Sequence, residues 1–102
     1  MAGADMRWAQ MEGADLYRAD LRKTCLLEAR LSNARLVGAN LTCADLRRAD
    51  LRGADLNWSL LVGADLSDAH LDGASLQGAR FDETTRWPNG FDPVYFGAID
   101  LD

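Results

Sequence analysis

Three regularities predict a repeat solenoid, a chain wound into equal coils around a leucine core. The first is a large apolar residue at every fifth position from Met6 to Phe81, sixteen in succession: thirteen Leu, two Met and one Phe. The second is a small residue two places before each of these, Ala in fourteen of the sixteen cases and Thr24 and Ser59 in the others. The third is the filling of the remaining positions, mostly polar, charged or Gly. A match this regular over residues 4–83 outranks local secondary-structure signals.

A period of five suits neither common element. On an α-helix five residues advance roughly 500°, so each Leu lies about 140° from the last and the series wraps around the helix instead of forming a stripe. On a strand, odd spacing sends successive leucines to opposite faces. The chain must therefore turn once per five residues to keep Leu and Ala inside, and equal turns stack each coil on a copy of itself. Gly13, Gly38, Gly53, Gly63, Gly73 and Gly78, two places after the apolar residue, supply backbone freedom at corners.

The A(D/N)LXX units, as in Ala14-Asp15-Leu16, Ala39-Asn40-Leu41 and Ala54-Asp55-Leu56, resemble the pentapeptide-repeat family over 80 of the 102 residues. The resemblance implies an all-β fold, a right-handed quadrilateral β-helix with four pentapeptides per coil. Residues 4–23, 24–43, 44–63 and 64–83 are then four coils spaced by about 4.8 Å, a body about 19 Å tall. Thr24 falls between Ala4 and Ala44 in the stack, and Ser59 between Ala39 and Ala79. Their hydroxyls need a backbone carbonyl to avoid a buried, unsatisfied donor.

Residues 1–83 are thus assigned to the β-helix and 84–102 to a capping segment. The run from Arg80 to Pro93 resembles the closing segment of cyanobacterial members of the family. Trp87, Phe91, Tyr95 and Phe96 are expected to cover the last leucine layer. Pro88-Asn89-Gly90 signals a turn, and Asp92-Pro93-Val94 the start of a short helix. At the other end Met1 already falls on the frame, so the first coil is expected to present an open apolar face. Met1, Met6, Met11, Leu16 and Leu21 are read as that layer, and as the seam of an end-to-end homodimer.

Composition narrows the function. With 48% apolar and 26% charged residues the chain is globular rather than disordered. No apolar run is long enough to span a bilayer and no signal pattern precedes the repeats, which points to the cytoplasm. The net charge of −5 argues against direct nucleic-acid binding. His70 is the only histidine, Cys25 and Cys43 lack companion ligands, and no Gly-rich phosphate loop occurs. The expectation is therefore no enzyme activity, no metal and no cofactor.

Some family members mimic DNA and act on type II topoisomerases such as gyrase. Here seven acids, Asp5, Asp15, Asp20, Asp45, Asp50, Asp55 and Asp65, occupy the position just before the central residue, where the motif itself prefers Asp or Asn for bonding the turn. Net charge by coil runs 0, +1, 0 and −4, and Arg47, Arg48 and Arg52 form a basic patch. A duplex mimic needs an uninterrupted negative stripe. The leading expectation is a non-enzymatic structural or protein-interaction module with a protein partner. A DNA-mimicking topoisomerase modulator and a rigid spacer within a larger repeat protein are the alternatives. Trp58, Leu60 and Val62 are the candidate interaction surface, since all three point outward and Leu60 stands where Asp or Asn is usual. Tyr17 and Val37 share an outward stack, and Trp58 has room to lie across Gly38 and Gly78.

Overall fold

A computed structural model describes all 102 residues. Each five-residue unit has the same conformation. The carbonyl of the large apolar residue accepts a hydrogen bond from the N–H three places later, as in Ala44 N–H to the Leu41 carbonyl at 3.0 Å. This closes a β-turn whose third residue has positive φ at every unit from residue 3 to 78: seven glycines at 68–73° and nine other residues at 55–62°. Positive φ at the third residue alone is the type II pattern. An L-residue held left-handed costs roughly 1–2 kcal/mol, so bonding between coils must outweigh nine such corners.

That bonding is regular. Parallel bridges join each coil to the next twenty residues on, as in Arg30 with Asp50 and Leu60 with Arg80. Four bridges per coil define four faces. Face 1 carries Asp5, Cys25, Asp45 and Asp65; face 2 carries Gln10, Arg30, Asp50 and His70. Face 3 carries Asp15, Arg35, Asp55 and Ser75; face 4 carries Asp20, Asn40, Leu60 and Arg80. Each step below the cap makes three hydrogen bonds; on face 2, Leu51 N–H to His70 O, Gly53 N–H to Asp72 O and His70 N–H to Ala49 O are all 2.9 Å, whereas the Leu60–Arg80 and Asp65–Arg86 steps make two. Because a corner interrupts pairing after each bridge residue, regular strand is limited to β1 (Arg80–Phe81) and β2 (Ile99–Asp100), which pair in parallel.

The ten leucines from Leu21 to Leu66 are completely enclosed, with alanines between them. The Thr24 hydroxyl donates to the Met1 carbonyl at 3.0 Å and that of Thr85 to the Leu61 carbonyl at 2.9 Å, which meets the expectation for Thr24. Ser59 breaks it, because its buried hydroxyl has no partner. The open first layer also needs correcting. Four units complete a coil, so Leu21 lies in the coil above Met1, where it is fully buried, and Leu16 is nearly so. Only Met1, Met6 and Met11 remain at that face, partly exposed.

The frame slips at the other end. Asp65 pairs with Arg86, twenty-one residues on, and Arg80 with Ile99, nineteen on. Residues 82–86 and 97–101 thus begin and end a fifth coil, while 87–96 cut across it. An aromatic series crosses this gap: Phe81 meets Trp87 edge-on at 5.5 Å, Trp87 stacks on Phe91 at 5.4 Å, and Phe91 stacks on Phe96 at 5.0 Å. Trp87 and Phe91 pack on the core, but Phe96 and Tyr95 lie exposed beyond it, Tyr95 meeting Phe96 edge-on, so neither covers the leucine layer as expected. The expected helix after Asp92 is absent. Phe96 and Gly97 N–H bond to Pro93 and Val94 as consecutive turns, and Gly97 at φ +92° ends the run.

The acids preceding the leucines brace the corners. Asp5, Asp20, Asp45 and Asp50 each accept the backbone N–H two places on and grip the arginine there, as in Asp50 with Arg52 at 2.7–2.8 Å. Asp15, Asp55 and Asp65 accept the same backbone N–H without such a grip, Asp65 also accepting from the Ser67 hydroxyl and Asp15 pairing with Arg35 of the next coil at 3.5 Å. The Arg22 and Arg52 guanidiniums hold the Asp20 and Asp50 carboxyls down to about 2.

Three outcomes follow from these placements. Leu46→Ala should destabilise by roughly 2–5 kcal/mol through the cavity it leaves. Ser59→Ala should leave stability unchanged or raise it, since an unsatisfied hydroxyl costs about 1–3 kcal/mol. Thermal melts check both, and a large loss for Ser59→Ala would contradict its unpaired state. The third outcome concerns acid. The paired carboxylates have lowered folded values, so their stabilisation is complete above the ordinary carboxylate range near 4 and is lost as pH falls towards 2. Melting temperature should drop across that window, and by less in Asp50→Asn, which keeps the turn acceptor without the titrating group; equal drops in both proteins would contradict the assignment.

Candidate interaction surface

Trp58 stands at the corner between faces 3 and 4, Leu60 on face 4, and Val62 at the corner between faces 4 and 1. The structure brings them together as a row across the third coil, Trp58 58% exposed and Leu60 and Val62 half-buried. One coil below lie Val37, Gly38, Asn40, Thr42 and Cys43. With Asn57 and Gly63, the middle two coils thus present ten outward residues on and beside face 4, none of them charged. In a chain that is 26% charged, this is the one large neutral area of the solenoid wall.

Packing explains how an exposed tryptophan sits there. Side chains at left-handed corners lean towards the later coil, so Asn33 covers Gly53, Cys43 covers Gly63 and Trp58 covers Gly78, each filling the space of the missing Cβ. Gly38 is covered by Arg18 at 3.2 Å, not by Trp58, which corrects the expectation that the ring spans both glycines. One edge of the indole is therefore anchored and the rest faces solvent. Below it, Tyr17, Arg18, Val37, Gly38 and Trp58, with Arg80 above, line a shallow groove of about 400 Å³. The Arg35 guanidinium lies 4.6 Å from the Tyr17 ring centre.

The rim is basic. Six arginines are engaged by carboxylates, but Arg18, Lys23 and Arg80, which border face 4, have no such partner. An apolar aromatic centre inside a polar, arginine-bearing rim is the anatomy of a protein contact surface.

The other candidates stay separate. Met1, Met6 and Met11 lie at the first-coil end, away from the Trp58 row. His70 is exposed on face 2, in a polar groove with Glu12, Glu28, Arg30, Arg48, Asp50 and Arg52. Those charges have both signs and largely neutralise one another. Cys25 and Cys43 are free thiols, and no cluster of three or more His, Cys, Asp or Glu side chains is placed to hold a metal ion. No helix is long and apolar enough to cross a membrane. Sequence reading by coil missed the neutral band, because charge here segregates by face. Grouping residues twenty apart finds it.

A family model of pentapeptide repeats matches residues 14–53 and 49–85, with eight copies. Among solved structures, the pentapeptide repeat protein alr5209 from Nostoc PCC 7120 is 39% identical, with a TM-score of 0.54 over 94% of this chain and 84% of that one. HetL from Nostoc sp. strain PCC 7120, a pentapeptide repeat protein involved in heterocyst differentiation regulation, is 25% identical with a TM-score of 0.68. Rfr23 from the cyanobacterium Cyanothece 51142 is 36% identical with a TM-score of 0.55. This chain covers 97% and 85% of itself in those two alignments but spans only 56% of HetL and 63% of Rfr23. No match was found among curated proteins.

Proposed function

The chain belongs to the pentapeptide-repeat family, whose fold is the right-handed quadrilateral β-helix, and on that premise we propose that it is a non-enzymatic interaction module that binds a partner protein through face 4. The observation that carries this reading is the neutral band centred on Trp58, Leu60 and Val62. Half of the residues that precede the large apolar series are neither Asp nor Asn, and Leu60 is the one among them that is aliphatic. An outward Leu at that position gives up a side-chain turn bond and gains an apolar contact.

The acids weigh against a DNA mimic. Four of the seven carboxylates at the motif position are gripped by arginines two residues on, so the wall shows alternating sign instead of a continuous negative stripe. The spread of titratable groups weighs against catalysis, since the single histidine and the free thiols lie on separate parts of the wall and the paired carboxylates serve turns.

A pull-down from source cells with wild type and the double variant Leu60→Asp, Val62→Asp tests the reading. Both sites are on the wall, so the variant should fold with a melting temperature within a few degrees of wild type. It should lose a specific partner that a control variant on face 2, Arg30→Asp, retains. Identical partners for all three proteins would overturn the assignment to face 4.

A further inference from the structure

We infer a second binding site, independent of face 4: the upper edge of the fourth coil on face 2 accepts an extended peptide segment that adds the face-2 strand to the unfinished fifth coil by β-augmentation. The inference starts from the hydrogen-bond inventory. On every lower coil, face 2 offers two N–H donors and one carbonyl upwards, and all three are used; in the third coil they are Leu51 N–H, Gly53 N–H and Ala49 O, bonded to His70 and Asp72. In the fourth coil the equivalent groups are Leu71 N–H, Gly73 N–H and Ala69 O, and none has a partner.

The cause lies in the routing of the cap. Arg86 resumes pairing on face 1, and Gly97 and Ile99 pair on corner 3–4 and face 4, but 87–96 cross the end of the solenoid without pairing on face 2 or on face 3, where Leu76 N–H and Ala74 O are also free; face 2 is the one whose edge borders a cleft of the cap. Buried backbone donors and acceptors are nearly always satisfied, and Leu71 and Ala69 are 8% and 7% exposed. The edge is buried at Ala69 and Leu71 and opens to solvent at Gly73. It forms one wall of a cleft of about 490 Å³, whose other wall is Pro88, Asn89, Gly90, Phe91 and Phe96. The missing strand would lie between these walls.

The edge dictates what fits. The segment must run parallel to Ala69–Gly73, as all coils do. Its residue above His70 donates to Ala69 O and accepts from Leu71 N–H, and its residue above Asp72 accepts from Gly73 N–H. A small residue above Ala69 and a large apolar one above Leu71 continue the core stacks. The fourth coil carries a net charge of −4 and Asp72 lines the cleft, so a basic residue between the small and large ones is favoured. The occupant is therefore an extended segment of a partner protein with the pattern small–basic–large apolar. Main-chain bonds supply the register, and alternate side chains the selectivity.

The test uses the full chain and a blocked peptide with the sequence of residues 28–33, Glu-Ala-Arg-Leu-Ser-Asn, which forms face 2 of the second coil. In the free protein, amide exchange at Leu71 and Gly73 should be faster than at Leu51 and Gly53. At peptide concentrations ten times its Kd, exchange at Leu71 and Gly73 should slow by about tenfold while Leu51 is unchanged. The same peptide N-methylated at its arginine, which removes the donor to Ala69 O, should give no protection, and Asp72→Lys should weaken binding of the parent peptide. Unchanged exchange at Leu71 and Gly73 at millimolar parent peptide, or equal protection by the N-methylated peptide, would overturn the proposal.

Discussion

The molecule depends on one constraint, the left-handed residue that closes each pentapeptide. Without positive φ at that position the chain cannot turn by a right angle every five residues, and Leu and Ala leave the interior. Nine of the sixteen corners use residues other than glycine, each at a local cost. They are tolerated because a corner belongs to a stack: its N–H bonds the coil above, and the next N–H in the unit bonds back to the leucine carbonyl. Local strain and non-local pairing are thus set against each other once per unit. Stability in such an array is a sum over neighbouring coils.

The same constraint distributes function. Inward positions are committed to Leu and Ala, and the residue before Leu is committed to bonding the turn wherever it is Asp or Asn. What remains for recognition is the pattern of outward residues along a face, read at intervals of one coil. Face 4 departs from the bracing pattern at Leu60, and the neutral area around it is a consequence of that choice and of Val37, Asn40, Thr42 and Val62 lying in the same columns. The ends obey a different rule. There the ladder of backbone groups must stop, and the cap pairs with it on faces 1 and 4 but not on faces 2 and 3.

The core was legible in the sequence because a five-residue period admits few geometries, and the leucines, alanines and Thr24 bond came out as the spacing implied. Trp58, Leu60 and Val62 were legible as outward residues, since each breaks a regular pattern. The Asp–Arg grips were present as a spacing of two at residues 5 and 7, 20 and 22, 45 and 47, and 50 and 52. A charge count by coil hid them, because it records sums and not partners. Ser59 was not distinguishable from Thr24 by type, and only the absence of a bonded carbonyl separates them. The cap was the least legible part. Its aromatic content announced a cover, but the route taken by residues 87–96 depends on a slip of one residue near Asp82–Thr85 that no period marks; at the other end the first coil closes after four units, which sets Leu21 above Met1 and not beside it.

Frame dependence offers the most direct measurement. Duplicating residues 49–53, Ala-Asp-Leu-Arg-Gly, lengthens the solenoid by one unit and keeps every Leu on the inward series. Inserting a single glycine between Gly53 and Ala54 adds less chain but throws the next coils out of register. Thermal unfolding of the two insertions, followed by circular dichroism, should show a cooperative transition within a few degrees of wild type for the five-residue duplication and a large loss of stability for the single glycine. Equal destabilisation by both, or better tolerance of the single residue, would contradict a structure held together by the five-residue corner.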